Sequence, residues 1–134
     1  MPDKYNYIGR GNQRKVIVYS KEYNVDNGAG VTDDDVVCNL PYEARVVSVR
    51  AIYTEATPGS GADSANFKIG VSAGDGSIVA ATALQNSKSI GATTTATVAS
   101  ELLPANTTLW TRHTGVAVTV AGKYRLQIVL LPKP

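Results

Sequence analysis

Hydrophobic and polar residues alternate with a period of two along most of this chain, and no stretch carries a convincing helical period. The clearest case is "NFKIGVS", Asn66 to Ser72. Phe67, Ile69 and Val71 fall on one face there, and Lys68, Gly70 and Ser72 on the other. "KYRLQIVLLP" near the end of the chain repeats the pattern, with Tyr124, Leu126, Ile128 and Leu130 opposite Arg125 and Gln127. Side chains of a strand point alternately to the two faces of its sheet, so each run predicts a strand with one buried side. The longest run, "ARVVSVRAIYTEA", sets Val47, Val49, Ala51 and Tyr53 against Ser48, Arg50 and Thr54. Val46 and Ile52 interrupt its polar side, which predicts partial cover on both faces.

Shorter runs fill the rest: "KVIVYS", "VVCNL" stopped by Pro41, "SIVAATAL", the weaker "ATTTATVAS", "TTLWTRH" and the apolar "GVAVTVAG". Turn formers separate them. "DNGAGVTDDD" and "TPGSGADSA" read as loops, and "AGDG" reads as a hairpin turn. "ELLPAN" reads as a turn, with Asn106 suited to left-handed backbone. About eight strands at close spacing predict an all-β fold, an antiparallel β-sandwich with the eight-stranded jelly roll as the expected arrangement. An immunoglobulin-like sandwich has a similar strand count, but its Cys and Trp hallmarks are absent here. Residues 1–13, "MPDKYNYIGRGNQ", hold no sustained period and read as an extended N-terminal arm. Residues 14–134 read as a single β-sandwich domain.

Composition narrows the function. A chain of 134 residues suits one domain that can bury a core without staples. Cys38 is the sole cysteine, so no intrachain disulfide forms, and it reads as a small buried hydrophobe. The opening segment is polar and does not read as a signal peptide, so "NTT" at Asn106 is discounted as a glycosylation site. No apolar run approaches the length that spans a bilayer, and no membrane partner is expected. The formal charge of +2 is too small to imply nucleic-acid binding. Its distribution says more: bases gather in residues 1–15, acids alone in 22–35 and bases alone in 112–134. Such patches steer protein partners. The acidic stretch Asp26 to Asp35 lacks the spacing of a calcium loop and reads as a solvated turn, so no metal is assigned. "GSG" and "GDG" lack any phosphate-cradling frame, and no cofactor is expected.

The candidate chemistry lies in "LWTRHTG", which holds the only tryptophan and the only histidine. Alternation puts Leu109, Thr111 and His113 on one face and Trp110 and Arg112 on the other. His113, at the end of its run, is expected to be water-exposed with no acid, nucleophile or metal as mate, so the chain is not read as an enzyme. Trp110 and Arg112 form a candidate contact patch, since interface anchors are enriched in both types. A second candidate set lies in and beside the arm: Tyr5, Tyr7, Ile8, Arg10, Arg14 and Lys15.

The order of "RVVSVRAIYTEA", "FKIGVSAGDGSIVAATAL", "LLPANTTLWTR" and "AGKYRLQIVLLP" resembles the capsid decoration proteins of tailed bacteriophages, also called cement or head-fibre proteins. The resemblance covers roughly 90 residues from Ala44 onward, and lies in strands and turns rather than invariant residues. It implies a β-sandwich made in the host cytoplasm that assembles as a homotrimer on the outer capsid surface. There it would hold the major capsid protein by bridging neighbouring subunits against the push of packaged DNA. No binding residues carry over from the family. The alternative from the residues is a carbohydrate-binding module or fibre domain, with Trp110 and Tyr42 or Tyr53 as stacking platforms.

Overall fold

The computed structural model describes residues 14–133. Tyr5, Tyr7, Ile8 and Arg10 lie outside the described residues. The chain forms ten strand segments: β1 (Val16–Tyr19), β2 (Tyr23–Asn24), β3 (Thr32–Asn39), β4 (Ala44–Glu55), β5 (Asn66–Gly70), β6 (Val79–Ala83), β7 (Thr93–Thr95), β8 (Leu102–Leu103), β9 (Thr108–Thr114) and β10 (Lys123–Pro132). A single 3-10 turn, Ala62–Ser64, is the only helical piece among the described residues.

Two antiparallel sheets make a β-sandwich. The first runs β1-β10-β4-β7, with β2 also on β10 and β8 also on β4. Because β4 and β10 pair along their whole lengths, β2 must share the β1 edge and β8 the β7 edge. This sheet is therefore four strands wide, with both edge strands broken. The second sheet runs β3-β9-β5-β6.

The inner faces meet in one core. Phe67, Ile69, Leu109, Tyr124, Leu126 and Ile128 are buried there beside Val49, Ala51 and Tyr53. The period-two reading of β5 and β10 thus holds in their middles. Expected burial fails at three places. Val71 is exposed, because β5 ends at Gly70 and the hairpin turns outward. In β4 the buried residue is Val46 and not Val47: Val129 opposes Ser48 while Leu130 opposes Val46, so Val47 is the extra residue of a β-bulge. A bulge reverses which neighbours face inward, and here it leaves Val47 only half-buried on the outer side. Cys38 is half-buried against the core rather than fully inside it, beside a second bulge at Val37.

Two segments change type. "TDDD", read as part of a loop, is the first half of β3. Aspartate is a poor strand former, but strand preference depends on what opposes it. Here Asp34 faces Arg112 across the β3–β9 ladder, and cross-strand charge pairing outweighs propensity. "GVAVTVAG", read as a strand, is a loop. Its backbone bonds to the loop after β2 rather than to a strand: Gly28 N–H donates to the Val116 carbonyl, and Val116 N–H donates to that of Val25. Asn106 adopts positive φ (67°), as expected.

Candidate functional site

The alternation in β9 divides "LWTRHTG" as the sequence predicts. Leu109, Thr111 and His113 point into the core, and Trp110 and Arg112 point outward and are half-buried. The expectation of a water-exposed His113 is overturned: the side chain is completely buried. Its strand continues to Thr114, so it is held between the sheets and not released into a turn.

Around His113 lies a polar knot within the core. Its Nδ1 sits 2.6 Å from the Tyr124 hydroxyl, and the Tyr23 ring stacks on the imidazole at 5.5 Å. Nε2 has no hydrogen-bond partner among the described residues, and the Asn24 and Val25 backbone lies beside the ring. The arrangement assigns a neutral ring, with the Tyr124 hydroxyl donating to Nδ1 and the proton on Nε2. Burial pushes the His113 pKa down, and it pushes the Tyr124 phenol up. The Tyr23 hydroxyl meets Thr111 and donates to Asp35 at 3.0 Å. Burial, the largest influence, also raises the Tyr23 pKa. These groups hold the two sheets together: Tyr23 and Tyr124 come from the first, and Thr111, His113 and Asp35 from the second. Among the described residues the buried ring has the Tyr124 hydroxyl as its side-chain hydrogen-bond partner, and the pair orients the core.

The outward side chains form a different site. Arg112 donates from Nε and a terminal nitrogen to the two Asp34 carboxylate oxygens, at 2.6 and 2.7 Å. Hydrogen bonding to Arg112 holds the Asp34 carboxyl below its usual value. Gly74 of the β5–β6 turn, at positive φ (77°), packs on the same guanidinium; a Cβ there would lie 2.7 Å from Cζ. Arg112 is therefore fixed by its own chain, and Trp110 is the free member of the predicted pair. Val36, opposite Trp110 on β3, is 53% exposed, and Gly70 flanks Trp110 on the other side. Trp110 and Val36 make an apolar patch on the outer face of the second sheet.

Arg14 and Lys15 are exposed, and Lys15 lines a groove on the outer face of the first sheet, apart from Trp110. The candidate residues thus do not converge on one site. Tyr53 is fully buried, its hydroxyl bonded to Thr94 at 2.7 Å, which removes it as a sugar-stacking platform. Sequence reasoning missed the partner of Arg112, because Asp34 was assigned to a loop. It also missed Tyr124 as partner of His113, because contacts across the two sheets leave no trace in spacing.

No protein-family model matches the chain, and no curated protein matches it. Its fold is similar to that of a chain in the solved cyanophage Pam1 capsid asymmetric unit, with a TM-score of 0.61 and 20% sequence identity. The match covers 98% of this chain and 94% of that one. At this identity the two share a fold.

Proposed function

We propose that this chain is a structural virion protein that decorates the outer surface of a bacteriophage capsid. In this reading it bridges neighbouring subunits of the major capsid protein, as the sequence resemblance implies. The observation that carries the reading is the fold likeness to a capsid-derived chain over nearly the full length of both. A sandwich of this size offers two outer faces, and each bears an exposed apolar residue beside a half-buried one: Val36 with Trp110 on one, Ile17 with Val129 on the other. A bridging protein needs two contact surfaces, and these fit that need. We read the passage of the chain between the two sheets as the jelly-roll order, with each broken edge counted as one strand. Residues 1–13 act as an arm for capsid or neighbour, and the protein self-associates as a trimer. With Tyr53 in the core, the sugar-binding reading loses a platform and is not carried further.

The test is co-sedimentation with shells of the encoding virus that lack this protein. Saturable binding with a fixed number of copies per shell is expected. Absence of binding to both compact and expanded shells would overturn the proposal.

A further inference from the structure

Four loops meet at one end of the sandwich: residues 25–31, 56–65, 84–92 and 115–122. Gly30 N–H donates to the Gly115 carbonyl at 3.1 Å, and Ser87 N–H donates to that of Pro58 at 2.8 Å. Val120 packs on Gly61, where a Cβ would lie 2.9 Å from its Cγ2. β1 starts at the opposite end, where Val16 pairs with Leu130 and Ala44 with Pro132. The loop end is thus neither of the two outer faces and lies away from the start of β1.

Two of these loops close in tight turns with branched apolar residues at their tips. Val120 N–H donates to the Ala117 carbonyl at 3.0 Å, which puts Val118 and Thr119 at one tip. Ala92 N–H donates to the Ser89 carbonyl at 3.0 Å, which puts Ile90 and Gly91 at the other. Turn tips favour Gly, Pro, Asn, Asp and Ser, so turn chemistry does not account for Val118 or Ile90. Both are 73% exposed, and Val31 on the neighbouring loop is 46% exposed. Single apolar residues on a surface are ordinary, but three at one end beside an apolar hollow mark a contact site. The hollow holds about 400 Å³ and is lined by Gly30, Gly61, Gly115, Val116, Ala117 and Val120 among others. A projecting valine and a recess that would take one therefore adjoin on the same loop.

Charge says what can sit there. Residues 27–32, 56–62 and 115–122 hold no charged side chain. Asp26, Asp63 and Lys88 are the charges of the four loops, none of them lines the hollow, and Lys88 Nζ donates to the Thr93 carbonyl at 3.3 Å. A partner read through charge would find little to recognise. A second copy of the same end meets no such obstacle. Near a symmetry axis each residue faces its own copies, so any charge there would repel itself.

We propose that copies of this chain assemble through the loop end, with the 115–122 turns gathered on the symmetry axis and Val118 of each copy seated in the hollow of the next. Knob and recess are neighbours, so the contact returns on itself and closes into a small ring. The inference rests on the self-association proposed above, names its surface, and leaves both outer faces free for the capsid.

The experiment is analytical ultracentrifugation of the full chain. Wild type should sediment as a trimer. Val118→Asp and Val118→Lys each bring like charges to the axis, and each alone should raise the concentration of half-assembly about ten-fold or more. Val118 is exposed at a turn tip, so both variants should keep the wild-type thermal midpoint. Mixed in equal amounts they should assemble more tightly than either alone, because opposite charges then face each other. That rescue occurs only if position 118 meets its own copies. A variant that assembles like wild type, or a mixture no tighter than its parts, would overturn this inference while a trimeric wild type left the self-association reading standing. A wild type that stays monomeric would overturn both.

Discussion

A histidine sealed between two sheets has one protonation state that suits the fold. His113 is fully buried, and desolvation holds its pKa below the ordinary 6.5, with Asp33 pulling weakly upward and Lys21 downward. The unfolded chain takes up a proton near that ordinary value and the folded chain resists it. Stability from this residue is therefore complete above the unfolded value and declines as pH falls below it. The thermal midpoint of the wild type should drop between about pH 7.5 and about pH 5.5, and His113→Gln should flatten that slope. An equal slope in both would show that other groups set the acid sensitivity. Tyr124→Phe removes the donor to Nδ1 and should cost about 1–3 kcal/mol by chemical denaturation, since a buried acceptor is left alone. Alternation along "TTLWTRH" assigned His113 its face. It did not report depth, because exposure at the end of a run depends on what the facing sheet lays over it, and here Tyr23 and Tyr124 of the other sheet lie against the His113 ring.

At the scale of elements, the β5–β6 hairpin shows how local chemistry supports the outer patch. The Asp75 carboxylate accepts from the Val71 N–H at 2.9 Å and from the Ser77 hydroxyl at 2.6 Å, which folds the turn back over Gly70. A Cβ on Gly70 would lie 2.3 Å from that carboxylate and 2.4 Å from the Asp75 carbonyl oxygen, so no side chain fits. Gly70→Ala should cost more than about 1 kcal/mol in a denaturant titration, because backbone as well as side chain must move. A neutral result would mean that the turn is free to lift away. "AGDG" announced this hairpin plainly, through residues that tolerate positive φ. The bulge at Val47 left no such mark: "RVVSV" reads equally well in either phase, and only the partner strand decides which valine enters the core. The same limit hid β3. An aspartate run reads as a loop until the arginine opposite it is known, and that arginine lies 78 residues away.

For the molecule as a whole, the legible part was the all-β class, the antiparallel sandwich and the inward faces of β5, β9 and β10, which follow from local period. The contact surfaces were not legible, since they arise from which edges and faces the topology leaves uncovered. The arm is the remaining part of the proposal, and it can be separated from the domain by experiment. β1 begins at Val16, so deleting residues 2–12 removes no described strand and no core residue. The thermal midpoint of the truncated chain should therefore match that of the full chain. Its binding to shells should fall, because Tyr5, Tyr7 and Ile8 supply apolar area at small rotamer cost and Arg10 speeds encounter with an acidic rim. Raised salt should weaken the full chain more than the truncated one, since screening acts on the bases that the deletion removes. Truncated and full-length chains that bind shells equally, with the same salt response, would make residues 2–12 a passive tail. Binding would then rest on the two outer faces of the sandwich alone.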